Sequence, residues 1–530
     1  MHVALSLAGR GSLIFRLALV SALAASAISA AHAAQAPLPI RAWAMSTPEA
    51  QGVSSAKLVD TIEAVRASGE RVHEIMLIRH GYIVLDASFF PYRPSEPHDI
   101  ASATKSITST LVGITIDRGL FSSLDEPIVQ IFPDAQDPSD PRKQRVTLRS
   151  LLEMRSGLDC KNPTGMGEVT LLEMIGHPDW VDYTLHLPMV DEPGARFVYC
   201  SSGMHVLSGA VSRAAGKNER DFADAVLFTP LGILSPDWGS DTQRRNTGWG
   251  GLHLRAADMA KIGYLFLHHG VWNNKQIVSA AWVDAATKPE PADAKYGFGW
   301  WTDGPPGFFA AEGRGGQEIA VLPAQDLIVV TLGGNATADT INRLLLAAVV
   351  SDQPLSPNPA AWTQLKRALE LARAPPQKHQ AQALPPAAAW LSGRTLSLAP
   401  NPFGLTAVTL EFKSSNVANA ELAYHGPLVQ QLLDPMRRAN SSGSLRVGLD
   451  GVPRLGRALG NGYVVALDGS WRDDNTFLLN YDTVAGINRL ILAITPDRDG
   501  ASVEVEEPSL HLKASVRATY APATKSSEYP

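Results

Sequence analysis

The chain has 530 residues, a formal net charge of -6, 45% hydrophobic residues and 18% charged residues. That length exceeds what a single hydrophobic core usually serves, so two domains are expected, and the composition excludes wholesale disorder. No basic run or basic–aromatic stripe occurs, which excludes nucleic acid as an expected partner.

Residues 1–34 read as a signal peptide. Arg10 and Arg16 supply positive charge, an apolar and small-residue run covers 17–30, and Ala31-His32-Ala33 fits the small-x-small cleavage rule. The run is short for a bilayer span, so an exported protein, periplasmic or secreted, with no membrane span after cleavage is expected. Residues 35–352 then mix strand-like and helix-like segments. Residues 73–87 read as a hairpin turning at His80-Gly81, and 318–322 with 327–332 read as a second hairpin around a polar stretch. Helical segments separate the two, which predicts an α+β domain with an antiparallel sheet flanked by helices.

Residues 353–385 read as a linker with a short helix. Pro354, Pro357 and Pro359 open it, Leu365, Leu369 and Leu371 follow a helical period, and Pro375-Pro376 stops it. Between 386 and 522 the pattern changes to short alternating runs at 395–398, 406–412, 444–449, 463–467, 476–481, 489–495 and 502–505, separated by Gly, Asn and Asp. This predicts an all-β sandwich or barrel. The polar end, 523–530, reads as a loose tail.

Three motifs carry chemistry. Ser102-Ala103-Thr104-Lys105 precedes the helical period of Ile107, Leu111 and Ile114. Positions i and i+3 share a helix face, so Lys105 lies one turn from the Ser102 hydroxyl and can receive its proton. Tyr199-Cys200-Ser201 follows a Pro-Gly turn and precedes a helix-like run, where a phenol can serve as acid or base. Gly313-Arg314-Gly315-Gly316-Gln317 precedes a strand and offers a cation beside small residues, suiting a carboxylate or a polarised carbonyl. Cys160 and Cys200 are the two cysteines. A disulfide between them is open in an oxidising compartment, since it depends on Cα proximity that spacing does not fix. Two cysteines without H-E-x-x-H or a His/Asp/Glu cluster at ligand spacing do not make a metal site.

In order and spacing these motifs resemble the serine β-lactamases and D-alanyl-D-alanine peptidases. The similarity is to the class C-like branch, which also holds secreted esterases and 6-aminohexanoate-dimer hydrolases. Three further stretches are similar to that branch: 151–158, 250–260 around Gly250-Gly251-Leu252-His253-Leu254, and Tyr296-Gly297-Phe298-Gly299-Trp300. The resemblance implies a β-lactamase/DD-peptidase-like fold with an all-helical subdomain. It implies an acyl-enzyme on Ser102, with Lys105 and Tyr199 as a coupled proton acceptor and the backbone N–H groups of Ser102 and Gln317 as the oxyanion hole. Ser201 would hydrogen-bond Lys105. Arg314, with Gly315 and Gly316, would bind an acidic end of the substrate or lower the Tyr199 pKa. No metal or organic cofactor is required, and the partner is a small-molecule ester, amide or β-lactam.

Ser201 stands where β-lactamases usually carry Asn, and Arg314-Gly315-Gly316 where they carry Lys-Thr-Gly. Arg keeps the charge but changes its shape, and the lost Thr hydroxyl removes a carboxylate contact. An esterase or amidase therefore leads. A β-lactamase or D,D-peptidase is the first alternative, and a penicillin-type binding or sensor protein without turnover is the second. The C-terminal β region resembles lipocalin-like domains attached to this branch. Its expected role is stability or docking, with ligand binding or covering of the active site as the sharper reading.

Overall fold

The computed structural model describes residues 43–521 apart from 136, 138, 162–167, 235, 289–294, 381–382, 427–439 and 460–461. The signal-peptide reading of 1–34 and the loose-tail reading of 523–530 lie outside the described residues. Among those described, no helix is long and apolar enough to cross a membrane.

Two strands, β1 (Arg71–Arg79) and β2 (Tyr82–Ser88), meet at the His80-Gly81 turn as the alternation predicts. Three later strands, β3 (Phe309–Gly313), β4 (Gln317–Leu322) and β5 (Leu327–Asn335), complete an antiparallel sheet of order β2-β1-β5-β4-β3. The continuous apolar run in β1 has a simple cause: both faces of the sheet are covered. Side chains alternate across a strand, so Ile75 and Leu77 enter one core while Met76 and Ile78 enter another.

The first of these cores lies under α1 (Ser55–Ser68), which begins at a Ser54 N-cap and ends at left-handed Gly69. Leu58, Ile62 and Val65 recur on one helical face and meet Leu77, Val329 and Leu345. On the opposite face sit α2 (Thr104–Asp117), α3 (Ser201–Ala215) and α4 (Ala256–Leu267), together with shorter helices at Leu148–Leu152, Val169–Ile175 and Trp180–Leu185. Two helices follow the sheet, α5 (Ala338–Ala348) and α6 (Pro359–Arg373). The helix expected within the linker is α6, with Asn358 as N-cap and Pro359 in its first turn. It does not hang free: Leu365, Ala368 and Ala372 join the core beneath α1.

Ten further strands follow: β6 (Arg394–Leu398), β7 (Leu405–Phe412), β8 (Val417–Tyr424), β9 (Leu445–Gly448), β10 (Arg454–Arg457), β11 (Val464–Asp473), β12 (Thr476–Thr483), β13 (Arg489–Asp497), β14 (Gly500–Glu507) and β15 (Leu512–Tyr520). Nine of them close into a barrel of order β9-β8-β7-β6-β15-β14-β13-β12-β11, shut by a parallel bridge between Gly448 and Asp468, while β10 pairs on the outside of β11. Leu396, Phe403, Leu410, Phe477, Leu492 and Val503 are fully buried and fill its interior.

A buried carboxylate marks the helical side. Glu219 faces Thr108 of α2 and Ser208 of α3, and burial pushes it up to about 8, partly offset by those hydroxyls. No well-formed hydrogen bond from a described residue reaches either of its oxygens. Because the folded state favours the protonated acid, its stabilising contribution is complete below about pH 4.5 and is lost as pH rises through about 8. Glu219→Gln is therefore expected to show a smaller drop in Tm between pH 6 and pH 9 than the parent, by calorimetry. An equal drop would show that another group governs the alkaline side.

Candidate active site

Ser102 lies in a single 3-10 turn, Ala101–Ala103, that runs directly into α2. Ala101 is held at φ 46, a left-handed conformation that strains a residue with a Cβ. Its N–H donates to Asp99 Oδ1 at 2.8 Å, which fixes the turn. Gly313, at the end of β3, faces it. A Cβ there would stand 2.4 Å from the Ile100 carbonyl oxygen, so only glycine lets the nucleophile segment rest against the sheet edge.

Lys105 is 1% exposed, and its Nζ donates to Ser102 Oγ at 2.9 Å and to the Trp249 carbonyl at 3.4 Å. The same Nζ lies 4.7 Å from the centre of the Tyr199 ring. Ser102, Lys105 and Tyr199 are thus brought together from two separate segments. The Tyr199 ring stacks on Trp301 at 5.9 Å and meets Tyr296 edge-on at 6.2 Å. Burial holds the Tyr296 phenol well above its ordinary value, with Tyr199 adding to the shift. The expected hydrogen bond from Ser201 to Lys105 is not formed: Lys105 Nζ is engaged by Ser102 and Trp249.

Tyr199 sits in the loop before α3, and a disulfide and a carboxylate cap help to hold that loop. Cys200 forms a disulfide with Cys160. The Glu168 carboxylate accepts the Ser201 N–H at 2.6 Å and the Ser202 N–H at 3.2 Å, satisfying donors that a helix N-terminus leaves open. Cys160, Glu168 and Cys200 place three potential ligand atoms together. Both sulfurs are spent in the disulfide and the carboxylate caps the helix, so the cluster has no thiolate to offer a metal.

Arg314, Gly315 and Gly316 form the turn between β3 and β4, where Gly313 pairs with Gln317. Both Gly315 and Gly316 have φ of 86, which the tight turn requires. The Gln317 amide donates to the carbonyls of Arg314 and Gly333 and accepts the Gly333 N–H, locking the turn onto β5. The expected substrate-facing role of Arg314 does not match its placement. Its guanidinium donates to Ser509 Oγ and, at 2.8 Å, to Asn488 Oδ1, both on the barrel.

Sequence reasoning missed Asp99, Glu168, Trp249, Asn488 and Ser509. Trp249 adjoins the Gly250-Gly251 stretch and was within reach of that signal. The others act through long-range contacts that no local pattern announces.

A 6-aminohexanoate-dimer hydrolase of Paenarthrobacter ureafaciens is 24% identical over 47% of this chain and 69% of its own length. Penicillin-binding protein 4 of Amycolatopsis lactamdurans is 26% identical over 45% of this chain and 72% of its own. A solved structure from Bacillus anthracis, described as a 6-aminohexanoate-dimer hydrolase, superposes with a TM-score of 0.50 at 17% identity, covering 58% of this chain and 87% of that one. A family model described as Beta-lactamase matches residues 64–333, just over half of the sequence. The chain belongs to that family, the β-lactamase-fold serine hydrolases.

Proposed function

We propose that this protein is an exported serine hydrolase that cleaves an ester or amide through an acyl-enzyme on Ser102. The observation that carries the reading is the 2.9 Å contact between Lys105 Nζ and Ser102 Oγ, with Lys105 nearly inaccessible to water. Ser102 Oγ attacks the carbonyl carbon and its proton passes to the Lys105/Tyr199 pair. The pair then protonates the departing alcohol or amine. Water attacks the acyl-enzyme, delivers a proton to the same pair and releases the acid, returning Ser102 to its hydroxyl form.

Backbone N–H groups of Ser102 and Gln317 are the proposed oxyanion donors, each contributing about 3 kcal/mol at the transition state. The disulfide and the signal-like leader support action outside the cytoplasm.

A serine-directed aryl phosphonate tests the nucleophile. One adduct per chain is expected, located to the Ser102 peptide by mass spectrometry and absent from Ser102→Ala. A label persisting in that variant would place the nucleophile elsewhere.

A further inference from the structure

Two contacts from the barrel lie close to the proposed oxyanion donors. On the nucleophile side, the Asp99 N–H donates to the Ala485 carbonyl at 3.0 Å, and the Asp99 carboxylate in turn holds the Ala101 N–H. On the strand side, Arg314 reaches Asn488 and Ser509, three residues before Gln317. Ser509 Oγ in turn donates a hydrogen bond to Glu507 Oε1 at 2.7 Å, and Glu507 is completely buried. The Glu507 carboxylate also accepts the Leu510 N–H at 2.6 Å and the Arg489 N–H at 3.3 Å, and its charge acts on the Arg314 guanidinium. Ile487 closes the space above Gly315: a Cβ on that glycine would stand 2.6 Å from Ile487 Cγ2. Val484, Ala485 and Ile487 are themselves buried, so this loop is packed into the hydrolase domain rather than resting on its surface.

We propose that Asn488, Ser509 and Glu507 are specificity-determining residues: they hold the Arg314 guanidinium in the barrel interface, so the site selects neutral esters or amides over substrates bearing a carboxylate. This rests on the hydrolase reading above. A guanidinium pinned by Asn488 and Ser509, with the Glu507 charge acting on it, is drawn towards the barrel and away from an anionic substrate. The barrel is then a wall of the site as well as a packed module.

The test is a pair of aryl esters alike except that one carries a free carboxylate on its acyl chain and the other the corresponding methyl ester. The readout is the ratio of kcat/KM, carboxylated over neutral, which is insensitive to the fraction of folded enzyme. The parent is expected to prefer the neutral ester. Asn488→Ala/Ser509→Ala should raise the ratio at least tenfold, and adding Arg314→Met should abolish the gain. Asn488→Asp keeps an acceptor and adds a countercharge, so its ratio should stay at or below that of the parent.

A double-variant ratio within threefold of the parent would overturn the proposal. So would a tenfold loss of ratio on Arg314→Met alone, which would show that the guanidinium already reads the carboxylate. A rise in Asn488→Asp would overturn it even if the double variant failed to fold. A parent inert towards both esters would instead overturn the hydrolase reading itself.

Discussion

Ser102→Ala and Lys105→Met are each expected to lower kcat/KM on an activated aryl ester by roughly 10,000-fold or more, and the double variant to be no worse than either. The geometry demands this non-additivity. The Ser102 hydroxyl is a poor nucleophile until Lys105, 2.9 Å away, takes its proton. Without the amine the hydroxyl is idle, and without the hydroxyl the amine has nothing to deprotonate. Methionine preserves the length and apolar stem of Lys105, which is buried against α2's neighbours, so the variant should fold. Steady-state kinetics on purified variants check the claim. A double variant a further hundredfold slower than the singles would mean that the two residues act independently, and that Lys105 serves something other than Ser102.

The residues of that pair were legible because they lie within one helical turn, where sequence spacing is distance. The same holds for the hairpin at His80-Gly81 and for the sheet-edge turn at Arg314–Gly316, whose small residues announce themselves. Legibility stops where contacts are long-range. The alternation in 417–424 and 512–520 escaped notice because alanines occupy inward positions, as with Ala418, Ala420 and Ala518, and alanine is a weak strand signal. Yet these segments are β8 and β15, and without them the barrel does not close. The helix at 359–373 was recognisable from its leucines, but its docking on α1 was not. Arg314 shows the limit most plainly. Its charge at a strand edge suggested a substrate contact, and the sequence around it carries nothing to indicate that Asn488 and Ser509, more than 170 positions away, take the guanidinium instead.

The second large effect is on stability. Cys160→Ala/Cys200→Ala is expected to cost about 4 kcal/mol, the chain-entropy value for a loop of this size, since the two cysteines are 40 positions apart. For a domain this large the loss corresponds to a fall in Tm on the order of 10 °C by calorimetry. Both cysteines are replaced because either thiol left alone would be buried beside Glu168 and Ser202 with its partner gone. The bond has a local consequence as well. Cys200 lies between Tyr199 and Ser201, so the covalent tether and the Glu168 cap act on consecutive residues of one short loop. Untying the sulfurs leaves the cap in place, and α3 should persist while the Tyr199 loop loses its covalent restraint. The variant should therefore lose kcat on the aryl ester even at temperatures well below its Tm, where the folded fraction is complete. A lower Tm with unchanged kcat would confine the disulfide to a stabilising role and show that contacts such as the Glu168 cap and the Trp301 stack suffice to hold the Tyr199 loop.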